Sequence, residues 1–221
     1  MTIRVVLEIA PKRTFASAID WPGWSRSGRD EEAALATLLD YAPRYAEVAR
    51  RAKIAFPAAR STEVVERLTG GGGTEFGVPG TPAASEDEPI SRAQLKRLLG
   101  LLRASWETFD AAAASAGGKS LRLGPRGGGR QVPKIIDHVR DAEAAYVSSL
   151  GSRPPPAVDD MSAQPMARLR DAFVDTVTAR ATGKPVPDPR NTKRPWSPRY
   201  AVRRAAWHVL DHAWEIKDRS S

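Results

Sequence analysis

Four segments of helical length occupy the C-terminal part of this 221-residue chain and limit its possible folds more than any other feature. Each is bounded by glycine or proline, and each carries apolar residues at spacings of three and four, which place them on one face of an α-helix. The predicted helices span 91–116, 132–150, 165–181 and 198–219. Four amphipathic helices joined by loops predict a four-helix bundle.

The N-terminal part has a different pattern. Apolar, β-branched runs at 3–9 and 14–21 predict two strands joined by a short turn. Asp30 is a good N-cap for a helix that follows it, and Pro43 should kink or split that helix. The sequence therefore predicts an α+β protein, with a small α/β module preceding the four helices.

The region between these two parts is less informative. Residues 61–68 fit either a short helix or a strand, because the apolar pair Val64 and Val65 does not decide between them. Residues 70–89 are rich in glycine, proline, threonine, serine and acidic residues, a composition typical of a loop or linker. We therefore place a domain boundary near residue 88, with an accessory domain at 1–88 and the four helices at 89–221.

Composition excludes several classes of function. Hydrophobic residues make up 41% and charged residues 27%, values that are ordinary for a soluble folded protein. No apolar run approaches the roughly 18 residues of a membrane-spanning helix, and the N-terminus lacks a secretory apolar stretch, so we expect a cytoplasmic protein without membrane contact. The chain has no cysteine, which restricts transition-metal ligands to His, Asp and Glu.

The three histidines of the chain form a candidate metal site. His208 and His212 are four residues apart, so both imidazoles leave the same face of a helix that turns about 100° per residue. His138 lies among apolar residues in the second predicted helix and should point to the same interior. Three imidazoles can hold a divalent ion such as Zn²⁺ and leave one coordination position open for water or substrate. The alternative is three separate core histidines held by hydrogen bonds.

Acidic residues accompany the histidines on both helices. Glu215 projects between the two histidines of the last helix, as a fourth ligand, an orienting partner or a general base. Asp141 is the acid nearest to the face of His138 by rotation, and we take it with Glu215 as a candidate catalytic residue. Asp211 lies at the edge of its face, where an exposed charge pair is the simpler interpretation.

The stretch 184–204 holds seven basic residues against one acid, with Trp196 and Tyr200 between them. Basic residues interleaved with aromatic rings are typical of a nucleic-acid groove. Because the stretch immediately precedes the histidine-bearing helix, Arg199, Arg203 and Trp196 are equally candidates for binding an anionic group of a cofactor or substrate beside the metal. The third interpretation is a solvated surface. The net charge of +8 favours anionic partners but does not identify them.

Two sequence stretches together resemble a known family. HVRDAE at 138–143 in the second helix and WHVLDH at 207–212 in the last helix are similar to the DinB-like superfamily, which includes thiol-dependent S-transferases and maleylpyruvate isomerase. The resemblance covers about residues 90–219. It implies a four-helix bundle whose histidine triad binds a divalent metal such as Zn, Ni or Fe. It further implies a thiol cofactor such as mycothiol, bacillithiol or glutathione, transferred to a small-molecule electrophile, and frequent dimers.

The N-terminal part resembles HicB-type modules through DWPGW at 20–24 and SGRDEEA at 27–33. Such modules mask a partner in antitoxins and also occur as accessory domains, which is our interpretation here. The leading hypothesis is thus a metal-dependent enzyme that activates a small thiol or water, as an S-transferase or hydrolase. One alternative is a module that binds nucleic acid or a partner protein, with the helices as scaffold. Another is a bundle whose metal is structural.

Overall fold

The computed structural model describes residues 2–58, 61–123, 129–156 and 164–220. In these residues the strands lie in the N-terminal part and the long helices in the C-terminal part. The predicted α+β class is therefore confirmed. None of the helices in these ranges is long and apolar enough to cross a membrane.

A four-stranded mixed sheet forms the N-terminal part. Its spatial order is β3-β2-β1-β4, with antiparallel pairing from β3 to β1 and parallel pairing between β1 and β4. Parallel neighbours need a crossover, and two helices provide it here. The strands are β1 (Thr2–Ala10), β2 (Arg13–Ala18), β3 (Ser25–Gly28) and β4 (Ser61–Thr69). The undecided segment 61–68 is thus a strand.

The crossover is split where the sequence predicted it. Helix α1 (Glu31–Asp40) begins at Asp30, whose carboxylate accepts a hydrogen bond from the amide of Ala33 at 2.8 Å. Helix α2 (Ala42–Arg51) follows directly, with Pro43 in its first turn, where the missing amide hydrogen costs nothing.

The segment 70–89 contains two short helical pieces and packs against both parts of the protein. They are α3 (Gly72–Phe76) and a 3-10 turn at Ala84–Asp87. Buried Glu8 of β1 accepts hydrogen bonds from the Thr74 hydroxyl and the Thr81 amide, at 2.5 and 3.0 Å. Buried Glu86 pairs with Arg203 of the last helix at 2.6 Å. The composition of this segment predicted loops, but it did not indicate these buried contacts.

The four predicted long helices are present, each within one residue of its predicted ends. They share an apolar core that includes the buried side chains of Leu102, Phe109, Ile135, Phe173 and Val209. The helices are α4 (Arg92–Ser115), α5 (Val132–Ser149), α6 (Gln164–Ala181) and α7 (Pro198–Ser220).

Helices α4 and α7 have a second buried face. Leu101, Leu210 and Trp214 belong to the core formed with the sheet, α1 and α2. Gly23 shows how closely the two parts approach. Its φ of +92° lies in the left-handed region, and a Cβ at this position would lie 2.8 Å from Leu210 Cδ1. The glycine of the DWPGW stretch is therefore needed for contact with α7.

A carboxyl group is buried among the long helices. Glu143 of α5 is 1% exposed, and its Oε2 lies 3.5 Å from Nε of Arg170, which itself makes two hydrogen bonds to Asp110. Burial raises the pKa of the Glu143 carboxyl from an ordinary value of 4.5 to about 7. The folded protein therefore holds this proton more tightly than the unfolded chain does.

The raised pKa of Glu143 makes the stability of the protein depend on pH. Because the folded pKa is the higher one, the free energy of unfolding should fall as pH rises from about 4.5 to about 7, by on the order of 1–3 kcal/mol. Glu143→Gln, which keeps the shape without the titrating proton, should remove this fall in urea unfolding measured at several pH values. Glu107→Gln, at an exposed position of α4, should retain it. An unchanged pH profile in Glu143→Gln would contradict the assignment.

Candidate metal centre

Three histidine rings meet between α5 and α7. Each of His138, His208 and His212 offers one ring nitrogen, and these three atoms lie within 4.8 Å of one another. The Nε2 atoms of His138 and His208 are 3.1 Å apart, and the ring centroids are separated by 4.7 to 5.1 Å. The structure therefore brings together the three residues that the sequence suggested as metal ligands.

The local sequence explains this convergence. On α7, the four-residue spacing places His208 and His212 one above the other on the same face. On α5, His138 is flanked by Ile135 and Val139, which are completely buried and fix the helix face that turns toward the core. Because α5 packs against α7, the ring of His138 lies beside those of His208 and His212.

The protonation of the rings favours metal binding. Burial, together with the nearby His212, lowers the pKa of His208 well below its ordinary value, and the same two causes lower the pKa of His138. Both imidazoles are therefore neutral at pH 7 and can donate a lone pair. His208 Nδ1 is buried and has no hydrogen-bond partner among the described residues.

The spacing of the nitrogens fits a single ion. Two imidazole nitrogens bound at about 2.0 to 2.1 Å to a tetrahedral Zn²⁺ lie about 3.3 Å apart, close to the observed 3.1 Å between the Nε2 atoms of His138 and His208. Without a metal, these two neutral rings can share only one hydrogen bond. The chemistry of the three donors and the spacing of this pair thus fit a divalent transition metal.

Glu215 orients one of the rings. Its Oε2 lies 2.9 Å from Nδ1 of His212, and its Oε1 accepts a hydrogen bond from Nη1 of Arg219 at 2.6 Å. The hydrogen bond from His212 and the charge of Arg219 lower the pKa of Glu215, so the carboxylate is ionised. A carboxylate on Nδ1 fixes the ring tautomer and leaves Nε2 for a metal. Of the three roles suggested for Glu215, the contacts favour orientation of His212.

Arg219 connects this pair to the preceding helices. Its guanidinium donates to the backbone carbonyls of Arg122 and Arg130, at 2.7 and 2.8 Å. The ends of the α4–α5 connection are therefore attached to the same arginine that holds Glu215.

The other two acids suggested by the sequence, Asp141 and Asp211, form no hydrogen bond to a histidine among the described residues. Asp141 is exposed, and its charge raises the pKa of His138 slightly against the larger effect of burial. It makes no hydrogen bond to a histidine in the described residues, so its catalytic role stays a prediction. Asp211 forms an ion pair with Arg26 of β3 at 2.6 Å. The pair expected there thus bridges to the sheet instead of running along the helix.

The two arginines proposed for an anionic group are engaged elsewhere. Arg203 is buried and donates to Glu86 and to the carbonyls of Pro79 and Thr81. Arg199 donates to the carbonyls of Glu88 and Pro89. Both residues therefore attach the segment 70–89 to α7 through these hydrogen bonds.

Trp196 lies in an aromatic layer that reaches the histidines. Its ring is 5.3 Å from that of Tyr146, which is 5.9 Å from the ring of His208. Arg204 belongs to this layer as well, because its guanidinium lies 5.8 Å from the Tyr146 ring centroid. Arg204 was not among the candidate site residues predicted from the sequence, although its position one helical turn before His208 indicated that it would lie near this ring.

A scan against protein-family models, a search of curated proteins and a search of solved structures each gave no match to this chain. The geometry of the histidine cluster and its surroundings is therefore the basis on which a function can be inferred.

Proposed function

We propose that this chain is a DinB-like metalloprotein, in which α4–α7 form a four-helix bundle and His138, His208 and His212 bind one divalent transition metal. The observation that supports this best is the approach of three ring nitrogens to within 4.8 Å. Neutral imidazoles and an ionised carboxylate that orients His212 complete the donor set.

We further propose that the protein is a metal-dependent enzyme that acts on a small thiol or on water. A divalent ion held by three imidazoles has an open position and favours the deprotonated form of a bound thiol or water. The family resemblance favours a thiol of the mycothiol type, and thus S-transfer over hydrolysis. In this proposal Glu215 keeps His212 in the correct tautomer. Asp141 is an exposed acid of α5 that would accept a proton.

Metal analysis tests the proposal directly. Protein purified without a histidine tag and dialysed against Zn²⁺, Ni²⁺ or Fe²⁺ should retain about one ion per chain, because the histidines of the sequence are all in this cluster. His208→Ala should weaken binding by roughly 100-fold or more, since loss of an orienting partner alone typically costs 10 to 100-fold. Isothermal titration calorimetry measures both values.

Two further variants test the role of Glu215 and provide a control on the same helix. Glu215→Gln keeps the shape of the side chain but loses its charge, and we expect it to weaken metal binding by about 10-fold or more. Asp211→Asn, on the same helix, lies in the ion pair with Arg26 and should bind as the wild type does. Absence of stoichiometric uptake by wild-type protein would refute the proposal. A structural metal would instead show as a large fall in melting temperature on chelation.

The nucleic-acid alternative has weaker support from the structure. Arg203 and Arg204 are buried, and Arg199 is bound to backbone carbonyls, so three of the seven basic residues of 184–204 do not form an open basic groove. Exposed basic residues of this stretch are Lys184, Arg190, Lys193 and Arg194. Binding to nucleic acid that weakens steeply with added salt would restore this alternative.

A further inference from the structure

Arg204 is a buried cation, and two of its donor atoms have no hydrogen-bond partner among the described residues. Its side chain is 8% exposed, and Nε and Nη1 have no hydrogen-bond partner among the described residues. The neighbouring buried arginines differ, since Arg203 pairs with Glu86 and Arg219 with Glu215. A buried charge without a counter-ion is unfavourable. In the part of the chain that the structure describes, no carboxylate pairs with Arg204, so its two unpaired donors indicate a ligand.

The guanidinium of Arg204 lies close to two aromatic rings. It is 4.9 Å from the ring centroid of Trp207 and 5.8 Å from that of Tyr146. These two rings are in turn 6.2 and 5.9 Å from the ring of His208. The positive charge of Arg204 also contributes to the lowered pKa of His208, which is consistent with this proximity. The unpaired donors are thus adjacent to the histidine cluster.

We propose that Arg204 binds the carboxylate of a small organic acid whose apolar or aromatic body lies against Tyr146 and Trp207. The planar fork of a guanidinium matches a planar carboxylate. The aromatic walls favour a flat apolar body, with Trp196 extending the wall beyond Tyr146 at 5.3 Å. The inference that this acid is the substrate rests on the proposed function, because its other end would then reach the metal. Carboxylate binding itself does not need the metal.

Benzoate is a suitable probe, and benzamide is its neutral counterpart. In protein treated with a chelator, benzoate at about ten times its Kd should raise the melting temperature by roughly 3–6 °C. It should also change the tryptophan fluorescence, because Trp207 lies beside Arg204 and Trp196 beside Tyr146. Benzamide at the same concentration should do neither.

Substitutions at Arg204 identify the group responsible. Arg204→Met removes the charge and fills the same space, and it should abolish the response to benzoate. Its melting temperature without benzoate should equal or exceed that of the wild type, because an unpaired buried charge is lost. If Arg204 had a purely structural role, the melting temperature of Arg204→Met would instead be lower than that of the wild type. Arg204→Lys keeps a positive charge but loses the planar pair of donors, and it should weaken benzoate binding by about tenfold. Arg199→Met, whose arginine faces the segment 70–89, should respond as the wild type does.

The results separate this inference from the metal proposal. Benzoate binding in chelated protein, lost in Arg204→Met, supports the carboxylate site even if no metal is taken up. An equal response of wild type and Arg204→Met to benzoate, or no response of the wild type, overturns it even if metal binds with full stoichiometry.

Discussion

Replacement of Arg203 by methionine is expected to lower the free energy of unfolding by about 3–5 kcal/mol. The reason is that Glu86, itself 3% exposed, would remain buried without its counter-ion, and the carbonyls of Pro79 and Thr81 would lose a donor. Urea unfolding, followed by far-ultraviolet circular dichroism, measures the difference.

A double variant distinguishes the lost charge pair from lost packing. Arg203→Met combined with Glu86→Gln removes both charges of this buried pair, and the stability of the double variant should recover by at least half of the loss. Arg199→Met, which removes an arginine bound to the same segment at its surface, should cost less than about 1 kcal/mol. A loss below 1 kcal/mol in Arg203→Met would show that the segment 70–89 is attached to α7 by other contacts.

The long helices were predictable because their signal is local. Apolar spacing and capping residues such as Ser91 determine where α4 begins, and the structure agrees within one residue. Strand β3 was missed because its sequence, Ser-Arg-Ser-Gly, has no apolar alternation, and it is a strand only through pairing with β2. Segment 61–68 was ambiguous for a similar reason. It is an edge strand with one half-buried face, defined by its parallel pairing with β1.

The histidine site was predictable in part. The spacing of His208 and His212 follows from helix geometry, whereas their approach to His138 depends on how α5 packs against α7. The different roles of Arg203 and Arg204 could not be predicted from the sequence. Arg203 and Arg204 are adjacent and chemically identical, yet one is paired with Glu86 and the other faces Tyr146. Only the 100° rotation between neighbours on α7, combined with its tertiary surroundings, separates their roles.

Two buried tryptophans of α7 pack against the N-terminal part of the protein. Trp207 and Trp214 are seven residues apart and therefore lie on the same face of α7. In the structure Trp207 packs edge-on against Phe15 of β2, with 6.2 Å between ring centroids. Trp214 packs in the same way against Tyr41, at 5.2 Å, and Arg26 lies over its ring at 5.3 Å. The neighbours are therefore the N-terminal sheet and its helices, and α7 is the element through which they contact the histidine site.

Trp214→Ala should lower the free energy of unfolding by about 3–5 kcal/mol, because the side chain is 2% exposed and its removal leaves a cavity between α7 and the N-terminal part. Phe76→Ala is the matched control, since this aromatic ring is 90% exposed and its loss should change stability by less than about 0.5 kcal/mol. Calorimetric metal titration under native conditions gives the second measurement. Trp214 leaves α7 about 200° around the axis from His212, so metal affinity should stay within about twofold of wild type. A parallel loss of stability and metal affinity would contradict this separation, and would mean that packing against the N-terminal part positions the histidines.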